Sequence, residues 1–437
     1  MALGGLCQFE VKPTGNDLNA GGFNAAGTSP GTDRSQQDAP HVIIDGATIT
    51  ATVHTTTTQI ILAGYTVTSA DNRNLVRISG GTATAGLYEI VAFDTVNNRW
   101  TLDRAVGTAA ATATGRMGGA LASLGMAAGS MGAQGHKSWV KSSTYVTTVN
   151  TANVSGGIVS LSAGGSIEAY DTVRGDKAAK TIVRPHANSM TMFSWGGTGV
   201  SILANIRVEA DGFTGITAFS SGSSGRGSII DCEAINCATG FTAVSATRSY
   251  AQGCTTGFTG GSMAFCVAKA CATGFASGSS LGCIAVGCTS TGFATSNGAQ
   301  GIIFHCVAHA CATGYSVNTI IARFINCIAS SNTVKGFASS VGTSLKLASH
   351  NNTNDLTPDY VLVADPFVNS SATINNVADA FAAFTLNDVA NGGALLKGVG
   401  LMGYSDIGAF QHQDTGGSGT GGAASFIGSS FIAGGLL

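Results

Sequence analysis

The chain has 437 residues, a formal net charge of −2, only 10% charged residues, 62 glycines and 11 cysteines. So small a charge gives no general attraction for nucleic acid or an anionic membrane surface, and no run of 18 apolar residues offers a transmembrane helix. Low charge with abundant Ala, Ser, Thr and β-branched residues excludes both a disordered chain and a protein of long Leu/Glu/Lys/Arg helices.

Residues 1–45 are polar and Gly-rich ("KPTGNDLNAGGFNAAGTSPGTDRSQQDAP") and read as an extended arm. The start "MALGGLCQFEV" has no basic region followed by an apolar segment, so the expectation is an unprocessed chain made in the cytosol. Residues 46–106 predict a small β-domain. Within it "GLYEIVAFDTVNNRWTLDRAVG" holds two alternating strands around Asn97-Asn98, a hairpin signal. Residues 107–135, rich in Gly and Ala, read as a linker, and 412–437 as a Gly-rich tail that ends apolar.

Residues 136–411 carry a repeat. "CVAKACATGF" at 266–275 has near-copies at 283–293 and 306–315. The second cysteine of each pair falls at Cys237, Cys254, Cys271, Cys288 and Cys311, in steps of 17, 17, 17 and 23. The first falls at Cys232, Cys266, Cys283, Cys306 and Cys327, with Ser249 at the missing step. Gly-aromatic pairs follow, from Gly240-Phe241 to Gly336-Phe337. A fixed period with local insertions marks a solenoid. Seventeen residues are too few for paired helices, but at strand rise they make a turn of about 56 Å, enough for three short strands and tight corners. The expected fold is therefore all-β: a right-handed parallel β-helix behind a small N-terminal β-domain and an extended arm. Glycine is expected at the corners.

A zinc site needs ligands converging from one locality, whereas these cysteines recur at coil intervals. They predict columns of buried free thiols about 4.8 Å apart, with disulfides or a metal as lesser readings. Neither metal nor cofactor is expected. Strand alternation then turns the next residue outward: Tyr250, Val267, Ile284, Val307 and Ile328 form an apolar stripe. Cover by a loop would explain it; so would a subunit interface, for which a homotrimer is the expected assembly. The preceding column, Arg207, Asp231, Arg248, Phe265, Gly282, His305 and Asn326, is also expected to face outward.

Glu209, Asp231 and Glu233 lie among Arg207 and Arg248 and read as a structural ion network. As catalysts they would need the paired geometry of glycoside hydrolysis. No Asp or Glu occurs between Ala234 and Asn354, so a groove along the middle coils would lack its acid and base.

"DPFVNSS" at 365–371, "FTLNDVANGGA" and "SDIGAFQ" at 405–411 resemble the last turn of bacterial and viral right-handed β-helix proteins. "IEAYDTVRGD" at 167–176 is similar to an early coil of that group, which places Arg174-Gly175-Asp176 in a coil rather than in an integrin ligand. "FEVKPTGNDLNAGGF", the small β-domain and "GGALASLG" resemble structural proteins of tailed bacteriophages. This likeness implies an N-terminal part that binds other virion proteins, a projecting solenoid, contact with a host-surface glycan, and location in the virion after assembly in the host cytoplasm. The expected function is a non-enzymatic structural or adhesive spike, fibre or capsid-decorating subunit. The alternatives are a polysaccharide-depolymerising tailspike, glycosidase or lyase, using Glu209, Asp231 and Glu233 or Asp355 and Asp359, and a self-stacking surface filament.

Overall fold

The computed structural model describes residues 3, 6–26, 31–131, 135–147, 159–161, 165–195, 201–221, 227–276, 278–295, 302–317, 323–339, 352–353 and 368–369. The 412–437 tail, Asp355, Asp359 and the closing motifs lie outside these residues, save for a two-residue strand, Val368–Asn369. The chain forms two units: Met1–Phe213 with Ser220–Ser228, and Thr214–Phe219 with Ile229–Leu437. Both contain parallel β-helix, and the first also holds a closed antiparallel barrel. Among the described residues no helix is long and apolar enough to cross a membrane.

In the barrel, strand Thr112–Met117 closes the sheet by pairing with Thr50–Val53 and Val42–Ile44 on one edge and Leu75–Gly81 on the other. Alternation builds its core: Ile60 and Leu62 are buried while Ile61 between them is exposed. The hairpin at Asn97-Asn98 is set by Asp94, whose carboxylate accepts the N–H groups of Val96 and Asn97, and by Asn98 at φ 50.

The 107–135 segment is not a linker. It supplies the closing strand and then a helix, Leu124–Met131, which buries Leu124, Ala127, Ala128 and Met131. Its small residues answer to packing: a Cβ on Gly119 would lie 2.6 Å from Asn19 Nδ2, and φ there is 75. Close packing and looseness ask for the same composition, so the sequence signal was ambiguous.

Nor is all of 1–45 an arm. Cys7–Val11 pairs in parallel with Lys137–Lys141, from Gln8↔Lys137 to Val11↔Val140, and antiparallel with Gly22–Asn24. Cys7, Phe9 and Val11 are fully buried. An apolar face on an otherwise polar segment is what admits this strand to the sheet. Lys137–Lys141 then pairs with Ser166–Tyr170, and that strand with Ser201–Ala204.

In the second unit three faces are built from in-register parallel strands. Val267–Lys269 lies between Tyr250–Gln252 and Ile284–Val286, with Tyr250↔Val267 and Val267↔Ile284. Thr256–Thr259 likewise lies between Thr239–Thr242 and Thr273–Ala276. The 17-residue period is thus the coil, and the 23-residue step is absorbed between Ile284 and Val307, which still pair.

The aromatic of each Gly-aromatic pair points into the coil. Phe219, Phe241, Phe258, Phe275, Phe293, Tyr315 and Phe337 stack with centroids 4.5–5.0 Å apart and planes within 16°. That spacing is the distance between neighbouring strands. Each pair adds about 0.5–1.5 kcal/mol beyond the area it buries.

Phe219 follows Ala218, but beside each of the other rings stands a glycine that lies in a strand, not at a corner. A Cβ on Gly257 would sit 2.6 Å from the carbonyl oxygen of Gly274, and Gly240, Gly274, Gly292 and Gly314 meet the next glycine in the same way at 2.5–2.7 Å. Many corners are made instead by larger residues in the left-handed region: Asp231, Arg248, Phe265, His305 and Asn326 at φ 48–55, then Asn236, Ala270, Ala310 and Ser331 at φ 51–55.

Candidate functional site

The left-handed corners place the cysteines. Each paired cysteine follows directly on a corner residue, so its side chain turns into the coil while the carbonyl two residues back faces it. Cys266 Sγ lies 3.4 Å from Ala264 O and 3.3 Å from Ala246 O on the preceding coil. Cys271, Cys283, Cys306 and Cys311 repeat this bridge. Ser249 fills its gap with the same bond, Oγ to Thr247 O at 3.1 Å.

All eleven cysteines, including Cys232, Cys237, Cys254, Cys288 and Cys327, are buried free thiols. Burial, with the neighbouring Cys283, pushes the Cys266 thiol well above its ordinary range. Hydrogen bonding to Cys237 is the leading cause that lifts Cys254 to about 12. Cys283, against its burial, and Cys311 are pulled the other way by hydrogen bonds to neighbouring thiols, so the inertness of the columns rests on burial, which keeps reagents and metal ions out. Among the described residues no group of three His, Cys, Asp or Glu is placed to hold a metal ion. Asn332, which the sequence reading passed over, stands after the corner at Ser331. Its Oδ1 accepts the N–H of Cys311 at 2.9 Å and its Nδ2 donates to Ala308 O, as a thiol would. The signal was its position, 21 residues beyond Cys311, masked by the change of residue type.

The expected apolar stripe is not a bare surface. Val267, Ile284, Val307 and Ile328 are 0–2% exposed within the single chain, and only Tyr250 is partly exposed. Parallel strands are commonly covered on both faces, and here the burial of both Val267 and Ala268 shows it. An interface that needs these four side chains in solvent therefore has no basis. The adjoining column faces outward only in part: Arg248 is exposed and Arg207 and Asp231 are half-buried, whereas Phe265, His305 and Asn326 are buried. Its members in this unit stand at corners, and His305 is 3% exposed, 3.3 Å from Asn326 Nδ2 and edge-on to Phe304.

The carboxylates are held by arginines. In the first unit Glu209 accepts from Arg184 at 2.9 Å and from Arg207 at 3.3 Å, and Arg184 also reaches Asp211 at 3.4 Å. In the second, Asp231 takes both arms of Arg248 at 2.8 Å. Bidentate charge-assisted bonds of this kind engage the oxygens that a general acid or nucleophile would use. Glu233 begins the strand Glu233–Ile235, half-buried beside Tyr250.

A fully buried charge in the first unit is Glu10. Its carboxylate meets Arg174 at 2.7 Å and accepts from Tyr170, and Arg174 continues to Asp33 at 2.9 Å and Ser35 Oγ at 3.0 Å. Asp176 accepts N–H groups from Asp171, Thr172, Val173 and Ala178, which hold its carboxyl well below the usual range. The Arg174-Gly175-Asp176 tripeptide is thus engaged inside the unit, its arginine only 14% exposed.

No family model and no curated protein matches this chain. Two solved structures to which it is similar are A-modules of Azotobacter vinelandii mannuronan C-5 epimerases. The AlgE4 A-module is 13% identical over 52% of this chain and 69% of its own, with a TM-score of 0.35. The AlgE6 A-module is 10% identical over 55% and 90%, also at 0.35. Likeness at this level carries no argument about this chain's fold or activity.

Proposed function

We propose that this chain is a non-enzymatic structural or adhesive subunit of a tailed-phage virion, a spike, fibre or capsid-decorating protein whose β-helix is a rigid spacer. The observation that carries the reading is how the carboxylates are used. Glu209 and Asp231 are engaged by arginines, and the sequence from 235 to 353 contains no Asp or Glu at all. The interior supports durability over chemistry: stacked rings, buried thiols and glycines pressed against neighbouring carbonyls leave little that can react or move.

In this reading the N-terminal barrel is the part that attaches to other virion proteins, and the solenoid meets a host-surface glycan. A trimer is not part of the proposal, because the stripe on which it rested is buried within one chain. Antibody against the barrel is expected to decorate intact phage particles in the electron microscope and to sediment with them. Antigen found only in the particle-free supernatant would defeat the virion assignment.

A further inference from the structure

Arg77 and Arg116 stand directly opposite each other on paired strands of the barrel wall. Both are half-buried. Arg77 Nε donates to Asn19 O at 2.8 Å, and Arg116 Nη1 donates to Asn19 Oδ1 at 3.3 Å. Arg77 Nη2 also donates to Ser130 Oγ at 3.3 Å, from the helix Leu124–Met131. Asn19 is fully buried and anchored by its own Nδ2, which donates to Ala120 O at 2.8 Å. Two forks carry five N–H donors each, and only three are used in these bonds.

Like charges facing each other across a strand pair repel, and partial burial makes the repulsion costlier. Among the described residues neither guanidinium is ion-paired with a carboxylate, unlike Arg73, Arg99, Arg104, Arg174 and Arg184 in the same unit. Asp17 is close enough to favour the charge on Arg77, yet its Oδ1 is occupied by the N–H groups of Ala122 and Ser123. Burial still holds Arg77 below its ordinary range.

We propose that Arg77 and Arg116 form a binding site for one tetrahedral oxyanion, a phosphate or sulfate group, with Asn19 and Ser130 fixing the two forks. A guanidinium fork matches such oxygens two at a time, and one doubly charged group would neutralise both arginines. Free phosphate and a sulfate or phosphate ester on a polymer share these tetrahedral oxygens, the sulfate ester bringing one negative charge in place of two.

The test is the phosphorus resonance of inorganic phosphate titrated with the full chain at constant ionic strength. Broadening that saturates with protein is expected, together with a melting temperature higher in phosphate than in chloride of equal ionic strength. Arg116→Gln should abolish both effects, and Arg116→Lys, which keeps the charge but not the fork, should weaken them. The lysine variant serves if the glutamine variant does not fold. A sulfated oligosaccharide that displaces phosphate at lower concentration would assign the site to a polymer-borne group, and displacement only at equal or higher concentration would assign it to the free ion. Unchanged line width, or Arg116→Lys broadening the signal as fully as the parent, overturns the site.

Discussion

Arg174 lies 2.7 Å from Glu10, across 164 positions of sequence, and the carboxylate it meets is fully buried. The contact fastens the N-terminal strand Cys7–Val11 to the loop after Ser166–Tyr170. Removing the guanidinium strands a buried charge, which typically costs about 3–5 kcal/mol. Arg174→Ala is therefore expected to lower the urea midpoint and to speed amide exchange first in Cys7–Val11. Unchanged exchange there would show that the strand is held by its ladder alone.

Glu10 also predicts a pH dependence. Burial raises its pKa above the ordinary 4.5, while Arg174 and the Tyr170 hydrogen bond pull the other way. The folded state then holds the proton more tightly than the unfolded chain. Its contribution is present below 4.5 and is lost as pH rises through the folded value. Glu10→Gln should remove that loss, so the stability difference between variant and parent should drift in the variant's favour from pH 4.5 toward neutrality. A drift of opposite sign in paired urea titrations would mean that Arg174 outweighs burial.

The thiol columns predict silence toward thiol reagents. All eleven thiols are buried, and burial is the chief cause that pushes Cys7 up to about 12, so the folded protein should show almost no fast-reacting thiol at pH 8, and all eleven in denaturant. Cys266→Ser should cost less than about 1.5 kcal/mol, because Ser249 already makes the same backbone bond. Cys266→Leu overpacks and should cost about 1–3 kcal/mol. Rapid native labelling would mean that the coils open readily.

Gly257→Ala tests close approach. The new methyl would meet Gly274 O at 2.6 Å with Ala251 and Ala268 on its flanks at 3.3 Å. The expected loss is about 1–3 kcal/mol, although alanine ordinarily suits a strand better than glycine. Phe258→Ala, one residue on, should cost about 3–5 kcal/mol by opening a gap in the ring stack. A neutral Gly257→Ala in thermal unfolding would show that neighbouring coils can separate at little cost.

How much of this was legible followed from what repeats. The 17-residue step, the inward thiols at Cys266 and Cys271 and the three-strand coil all follow from periodicity, which a sequence displays directly. The corners were less legible: Phe265 and His305 look like outward strand residues, and only the backbone shows them in the left-handed region. Alternation tells which side of a strand Val267 takes, but not whether that side is covered. Gly118 and Gly119 looked like linker because tight packing and flexibility call for the same small residue. The Arg174–Glu10 and Arg77–Arg116 relations were invisible because nothing local connects residues so far apart.

The central claim, that this β-helix displays and binds rather than cuts, is tested most directly by the chain length of a polysaccharide it binds. The purified protein would be incubated with a panel of bacterial surface polysaccharides, and each polymer sized by gel filtration before and after. The account predicts retention of at least one polymer with its length unchanged. Shortening of a polymer that is lost in Glu209→Gln or Asp231→Asn would contradict it and make the chain a depolymerase.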